Sequence, residues 1–435
     1  MLSSGVWWLK IQRTPTPALE RLTARFRPAG YAGCMTTGVV FNPFVPSFKK
    51  NPYLQFGRLR AAEPVHFSQA LQAWILTRYE DCVAVIKDHE TFSSDASNAG
   101  GQIAEAIARQ RQQSDLQRAD TILGLDPPRH TVLRALVNRA FTPRRVQEQR
   151  PHIEDLARQL LDEAGDEFDL MEALAQPLPV IVIAELLGIS PDDRLQFKEW
   201  SNAIAETTSL MQSEATQARV RQATLELIEY FGRVIDARMV EPRDDLISAL
   251  VRAEEDGKRL RREDLLAFCI LLLVAGNETT TNLIGNGLAA LLDHPQALAA
   301  LTEDADRIPD AIEEMLRYDS PVQGLARFVT RDTEVGGVTI RKGEIVLAMV
   351  GAANRDPEVF ATPDTFDLVR GGGRHLSFGQ SIHYCLGAPL ARMEADVVFR
   401  ALLGRYPNIE AGAGSIERGG TLLLRGPVVF PVRGG

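Results

Sequence analysis

The segment His375 to Arg392, HLSFGQSIHYCLGAPLAR, carries Cys385 on a glycine-containing loop that ends immediately before a helical pattern. A helix N-terminus presents unpaired N–H groups and partial positive charge. Both favour thiolate over thiol, and the thiolate is the form that binds metal. Cys385 is therefore a candidate metal ligand, whereas Cys82 and Cys269 stand in apolar helical patterns and read as small buried hydrophobes. A second set interrupts the most apolar stretch of the chain. There LLAFCILLLVAG runs directly into Asn277, Glu278, Thr279, Thr280, Thr281 and Asn282, and apolar character returns at Leu283, Ile284 and Leu288. Buried hydroxyl and carboxyl groups without partners cost ~1–3 kcal/mol each. A polar cluster halfway along a core helix thus points to a water-bearing cavity, and an acid beside an alcohol in such a place suits proton delivery.

Two further pairs need neighbours to become meaningful. Glu314 and Arg317 in AIEEMLRY stand one helical turn apart, and an exposed pair at that spacing contributes only ~0.2–0.5 kcal/mol. In LDPPRHTVLR, Asp126 is expected to cap a helix, with Pro127 and Pro128 near its first turn. His130 and Arg134 then share a face as two cationic donors suited to carboxylates. Gly371 to Gly373 and Gly412 to Gly414 lack the spacing and strand-to-helix context of a phosphate-binding loop.

The elements that must position these groups are mostly helical. Apolar residues recur at helical spacing over 129–140, 146–164, 172–187, 216–240, 245–255, 262–293 and 308–318. Strand-like runs are fewer: WILT at Trp74, then Phe328 to Thr330, Gly337 to Ile340, Ile345 to Met349 and Thr421 to Phe430. The pattern predicts a mainly α fold with a small β region. Residues 96–120 are polar and Gln-rich and read as a loop. Residues 1–40 read as a flexible N-terminal extension and 41–435 as one domain. An arginine-rich start also fits a targeting presequence, but Pro15 and Pro17 interrupt the helix that would require.

Across 435 residues the net charge is −9, which argues against binding nucleic acid or an anionic membrane. Four cysteines without CxxC spacing fit a reducing cytoplasm. The longest apolar run, Leu265 to Gly276, has 12 residues, short of the roughly 18 that cross a bilayer, so no transmembrane anchor is expected.

Phe378, Gly379, His383, Cys385, Gly387, Leu390, Ala391 and Arg392 resemble the haem-binding loop of the cytochrome P450 enzymes. AGNETT at Ala275 to Thr280 is similar to that family's oxygen-binding groove, and Glu314 with Arg317 to its helix pair, with ANRDP at Ala353 to Pro357 following in the family's order. One position departs: Ser381 stands where the family usually has glycine, and a Cβ there strains the loop if φ is positive. The resemblance implies a soluble bacterial-type P450 fold, a triangular helical domain holding haem b between the helix 262–293 and the Cys385 loop. It implies that His130, Arg134, Arg327 and His383 hold the haem propionates, and that Gly276 lets the helix open beside the haem. Glu278 and Thr279 become the proton relay, and Arg370 joins Glu314 and Arg317 in a structural network. Leu271, Val274, Ala275, Gln323, Leu325 and Leu422 become the lining of a mostly apolar substrate pocket.

The implied reaction is monooxygenation by O2, with electrons from a separate ferredoxin and ferredoxin reductase, docked through Arg139, Arg144 and Arg145. A peroxide-driven oxygenase would share the haem but not need Glu278 and Thr279. A haem sensor would need neither relay nor electron partner.

Overall fold

Apolar residues dominate the buried positions of the main helices. These helices are α1 (Tyr79–Lys87), α2 (Arg129–Ala140), α3 (Arg150–Ala164), α4 (Pro177–Leu186), α5 (Glu214–Val240), α6 (Arg262–Asp293), α7 (Ile308–Tyr318) and α8 (Ala388–Arg405). The computed structural model describes residues 41–101, 104–105, 121–193, 196–197, 199–200, 203, 214–371 and 373–435. The expected extension over residues 1–40 and most of the Gln-rich stretch lie outside the described residues. In α7 the buried residues Ile308, Ala311, Ile312, Met315 and Leu316 follow the i, i+3, i+4, i+7, i+8 pattern of one helical face. The helix predicted over 146–164 is two. Pro151 sits in the first turn of α3, where its missing N–H costs nothing, and the chain breaks after Gln147. Pro177 likewise starts α4, and Met171–Ala175 before it forms a turn of π-helix.

The long helix α6 is the axis of the core, with α4, α5, α7 and α8 packed around it. Its length and apolarity would allow it to cross a membrane, yet Leu283 to Leu291 are buried inside the protein. Two glycines permit the close approach of its neighbours. A Cβ on Gly276 would lie 2.4 Å from Ile183 Cδ1 of α4, and one on Gly287 would lie 2.6 Å from Met315 Sδ of α7. The helix runs unbroken through Gly276. The bare face of that glycine is filled by Ile183.

The β region is a five-stranded sheet of β1 (Val65–Ser68), β2 (Ala73–Leu76), β3 (Phe92–Ser93), β4 (Leu325–Val329) and β5 (Ile345–Ala348), in the order β1-β2-β5-β4-β3. Only the β2–β5 pair is parallel. Val346 of β5 stands opposite Arg327 of β4, which fixes that arginine in the sheet. The run expected over Thr421 to Phe430 is the second half of a hairpin, β6 (Glu417–Gly420) and β7 (Arg425–Val429).

Candidate active site

The Cys385 loop is a tight structure held by backbone geometry. Gly379 and Ser381 both take positive φ, +66° and +61°. The Cys385 N–H donates to the Phe378 carbonyl at 2.9 Å, and the Tyr384 N–H donates to the Ser381 carbonyl at 3.1 Å. The helix α8 follows at once. N–H groups of Gly387 and Ala388, with Arg134 and Arg392, act to lower the Cys385 pKa, but burial is larger and pushes the thiol up. The helix terminus alone, from which the sequence predicts a thiolate, is outweighed by desolvation. A bound metal cation would supply what is missing, because it deprotonates a coordinating thiol outright.

A residue with Cβ in the left-handed region carries strain that glycine lacks. Ser381→Gly relieves it but adds freedom to the unfolded chain, so the two effects oppose each other. We expect the variant to keep its haem, with stability changed by no more than about 1 kcal/mol, as read from the haem-to-protein ratio and thermal unfolding. Loss of haem binding would show that the serine hydroxyl makes a required contact.

Beside the loop lies a cluster of two imidazoles and two guanidinium groups. His130 is 2% exposed, and neither of its ring nitrogens has a partner. Its ring lies 4.3 Å from that of His383, centroid to centroid. Burial and nearby cationic groups hold the His130 pKa low and push that of His383 down to about 3. Arg134 donates to the Tyr384 carbonyl at 2.8 Å, and Arg327, 7% exposed, donates to the Ala326 carbonyl at 2.8 Å. Burial depresses the pKa of both guanidinium groups. Asp126, expected to cap α2, is committed elsewhere. Its carboxylate accepts from the Ser93 hydroxyl and, at 3.1 Å, from the Ser94 N–H, while Pro128 occupies the N-cap. The two guanidinium groups and the unpartnered His130 nitrogens offer hydrogen-bond donors to an anionic group.

On α6 the Thr279 hydroxyl donates to the Ala275 carbonyl at 2.7 Å, one turn back. Glu278 precedes it, half-buried. Val274 is 40% exposed and Ala275 is exposed, although Leu273 and Asn277 on either side are buried. Val274 and Ala275 thus form an exposed apolar patch in the middle of a core helix. Leu271 is half-buried on the same helix, and Leu325 reaches the Cys385 loop, with its Cδ1 3.9 Å from where a Cβ on Gly379 would stand.

The structure takes Gln323 out of the expected pocket lining. Its amide donates to the Tyr53 hydroxyl at 3.1 Å and to the Ser320 carbonyl at 2.7 Å. With Leu422 it borders a small hollow near Pro43 and Phe48. Glu394 of α8, which sequence reasoning passes over, is 1% exposed and hydrogen-bonded to Thr280; burial raises its pKa to about 8. It was hidden because a glutamate in MEADVVF reads as an ordinary polar position on a helix.

Behind the loop, Glu314 accepts from Arg317 Nε at 2.7 Å and Nη2 at 2.8 Å, from the Asp367 N–H at 2.8 Å and from Arg370 Nε at 3.2 Å. Glu314 is 4% and Arg317 2% exposed. This pair is thus not the weak solvated one that spacing alone suggests.

These residues fit a haem. Among the described residues no group of three or more His, Cys, Asp or Glu is placed to hold a metal ion. A single thiolate suits an iron whose other ligands come from a macrocycle. The partnerless His130, with His383, Arg134 and Arg327, offers donors for its propionates.

The family model described as Cytochrome P450 matches residues 72–409. The chain is 41% identical over 406 residues to the polyketide biosynthesis cytochrome P450 PksS of Bacillus subtilis (strain 168), covering 91% of this chain and 98% of that one. Its fold is similar to that of cytochrome P450 CYP109Q5 from Chondromyces apiculatus, with TM-score 0.82, 39% identity and coverage of 90% and 97%. It is also similar to CYP109E1 from Bacillus megaterium in complex with testosterone, with TM-score 0.79, 35% identity and coverage of 88% and 99%. The one-cysteine loop, the cluster of His130, Arg134, Arg327 and His383 and the polar break in α6 lie on a fold shared along nearly the whole of these relatives, and the chain belongs to the cytochrome P450 family of haem-thiolate monooxygenases.

Proposed function

We propose that this enzyme inserts one oxygen atom of O2 into a mostly apolar small organic molecule, using electrons from a separate ferredoxin and its reductase in the cytoplasm. The observation that carries the substrate class is the exposed apolar patch Val274–Ala275 midway along the core helix α6, one turn before Glu278 and Thr279. Relatives named for polyketide biosynthesis and solved with testosterone support a bulky apolar ligand. When bound, haem supplies the iron that activates oxygen, through a thiolate that favours O–O cleavage. The residues of the chain do the rest. Leu271, Val274, Ala275 and Leu325 orient the substrate and exclude water; Glu278 brings protons from solvent, and the Thr279 hydroxyl holds the water that passes them on. A peroxide-driven enzyme would have no use for this pair. The proposed docking patch is thinner than three arginines suggest, because Arg144 pairs with Glu148 at 2.9 Å and Arg145 with Asp244 at 3.7 Å.

A spectral binding screen with terpenoid, steroid, fatty-acid, macrolide and aromatic compounds identifies the substrate class, since displacement of water from the iron changes haem absorption. Failure of every apolar compound to bind would contradict the proposed pocket. With a bound substrate and a surrogate ferredoxin chain, Thr279→Ala tests the relay. Its hydroxyl only bonds back within its own helix, an interaction close to neutral for stability, so haem content and substrate affinity are expected to stay near the parent. The fraction of electrons recovered in product is expected to fall about tenfold or more, with hydrogen peroxide rising in its place. Coupling equal to that of the parent would rule Thr279 out of proton delivery.

A further inference from the structure

Glu313, the residue before the buried Glu314, faces the other way, towards α8. Its carboxylate accepts from Arg392 Nε at 2.6 Å and Nη2 at 2.8 Å, and pairs with His375 Nε2 at 3.1 Å. The Arg392 guanidinium lies 4.5 Å from the centroid of the Phe378 ring, and its Nη1 donates to the Tyr384 hydroxyl at 3.3 Å. The His375 ring lies tilted beside the same Phe378 ring, 5.9 Å centroid to centroid. Phe378 is tied to the metal ligand itself, because its carbonyl accepts the Cys385 N–H. One carboxylate therefore braces both ends of the loop that carries the thiolate.

We infer that Glu313 is a positioning residue for Cys385: it fixes Arg392 on Phe378 and neutralises that guanidinium beside the sulfur, so that the thiolate keeps its electron donation to iron. The charge balance is favourable. Burial acts to raise the Glu313 pKa, but hydrogen bonds from Arg392 and His375 outweigh it and hold the carboxyl at about 2. The ion pair is thus intact at neutral pH. A planar guanidinium on an aromatic face is a stable arrangement when its charge is also met by a carboxylate. Without the carboxylate, an unbalanced positive charge near the sulfur favours the more electron-rich, reduced iron. Glu313 and Arg392 border a surface cleft of about 790 Å³ with Arg150, Pro389 and Asp396, so solvent screens that charge in part.

The inference rests on the haem-thiolate reading, and redox titration of the purified holoprotein tests the two separately. In Glu313→Gln the ferrous-to-ferric ratio at a fixed poise is expected to rise about tenfold, about 59 mV for a one-electron couple. Arg392→Gln leaves the carboxylate unbalanced and is expected to move the ratio the other way. The double variant is expected to return close to the parent, although all three lose some thermal stability. Unchanged midpoints, or shifts in the same direction for both single variants, would overturn the inference and leave the cluster a structural brace. If Glu313→Gln does not retain haem, Arg392→Gln decides alone, and an unchanged or raised ratio would overturn it. Loss of haem in every variant would likewise reduce the cluster to a brace. A parent without a thiolate-type ferrous carbon monoxide spectrum would instead undo the underlying haem-thiolate reading.

Discussion

Cys385→Ser is expected to abolish the thiolate-type ferrous carbon monoxide spectrum and to reduce turnover to background, even where haem stays bound. The substitution exchanges one atom and leaves the loop intact, since the bond that anchors this residue runs from its backbone N–H to the Phe378 carbonyl. His130, Arg134, Arg327 and His383, which would hold the propionates, are untouched by the substitution. What changes is the ligand. A serine hydroxyl stays protonated where a thiol ionises on metal, and burial, which already raises the Cys385 pKa, opposes an alkoxide far more strongly. An unchanged reduced spectrum would remove Cys385 from its role.

Glu314→Gln is expected to cost about 3–5 kcal/mol of stability, the range for breaking a buried ion pair by removing one partner. The variant keeps the size of the side chain but turns an acceptor-only group into one that presents N–H donors to a guanidinium. Arg317 would then carry an unbalanced charge at 2% exposure. The damage would spread, because Arg317 also donates to the carbonyls of Asn354 at 3.0 Å, Pro363 at 2.8 Å and Thr365 at 3.0 Å. That one side chain pins residues 354–365 to α7, and Arg370 closes the same network on Glu314. Urea unfolding followed by circular dichroism, together with haem retention, measures the loss. A cost below about 1 kcal/mol would mean that the pair behaves as a surface one.

Much of this was legible in the sequence where a local pattern and a physical requirement coincide. The bounds of α2, α6 and α7 follow from apolar periodicity closed by breaks, and Cys385 stands out because a loop delivers it to a helix start. The departures share a cause: their partners are far away along the chain. Asp126 is drawn from its helix by Ser93 and Ser94, more than thirty residues upstream. Gln323 is taken by Tyr53, 270 residues away. Glu394 meets Thr280 only after α8 packs on α6, so nothing beside it in the sequence shows that it is buried. The same holds for the strength of the Glu314–Arg317 pair. Spacing sets the geometry, but burial sets the energy, and burial arises from the whole fold.

The most direct test is the absorption spectrum of the purified protein, reduced and exposed to carbon monoxide. Haem bound through the Cys385 thiolate predicts one haem per chain and the strongly red-shifted Soret band of a thiolate-ligated ferrous complex. A haem-free protein, or a reduced complex with the spectrum of a neutral nitrogen ligand, would contradict it.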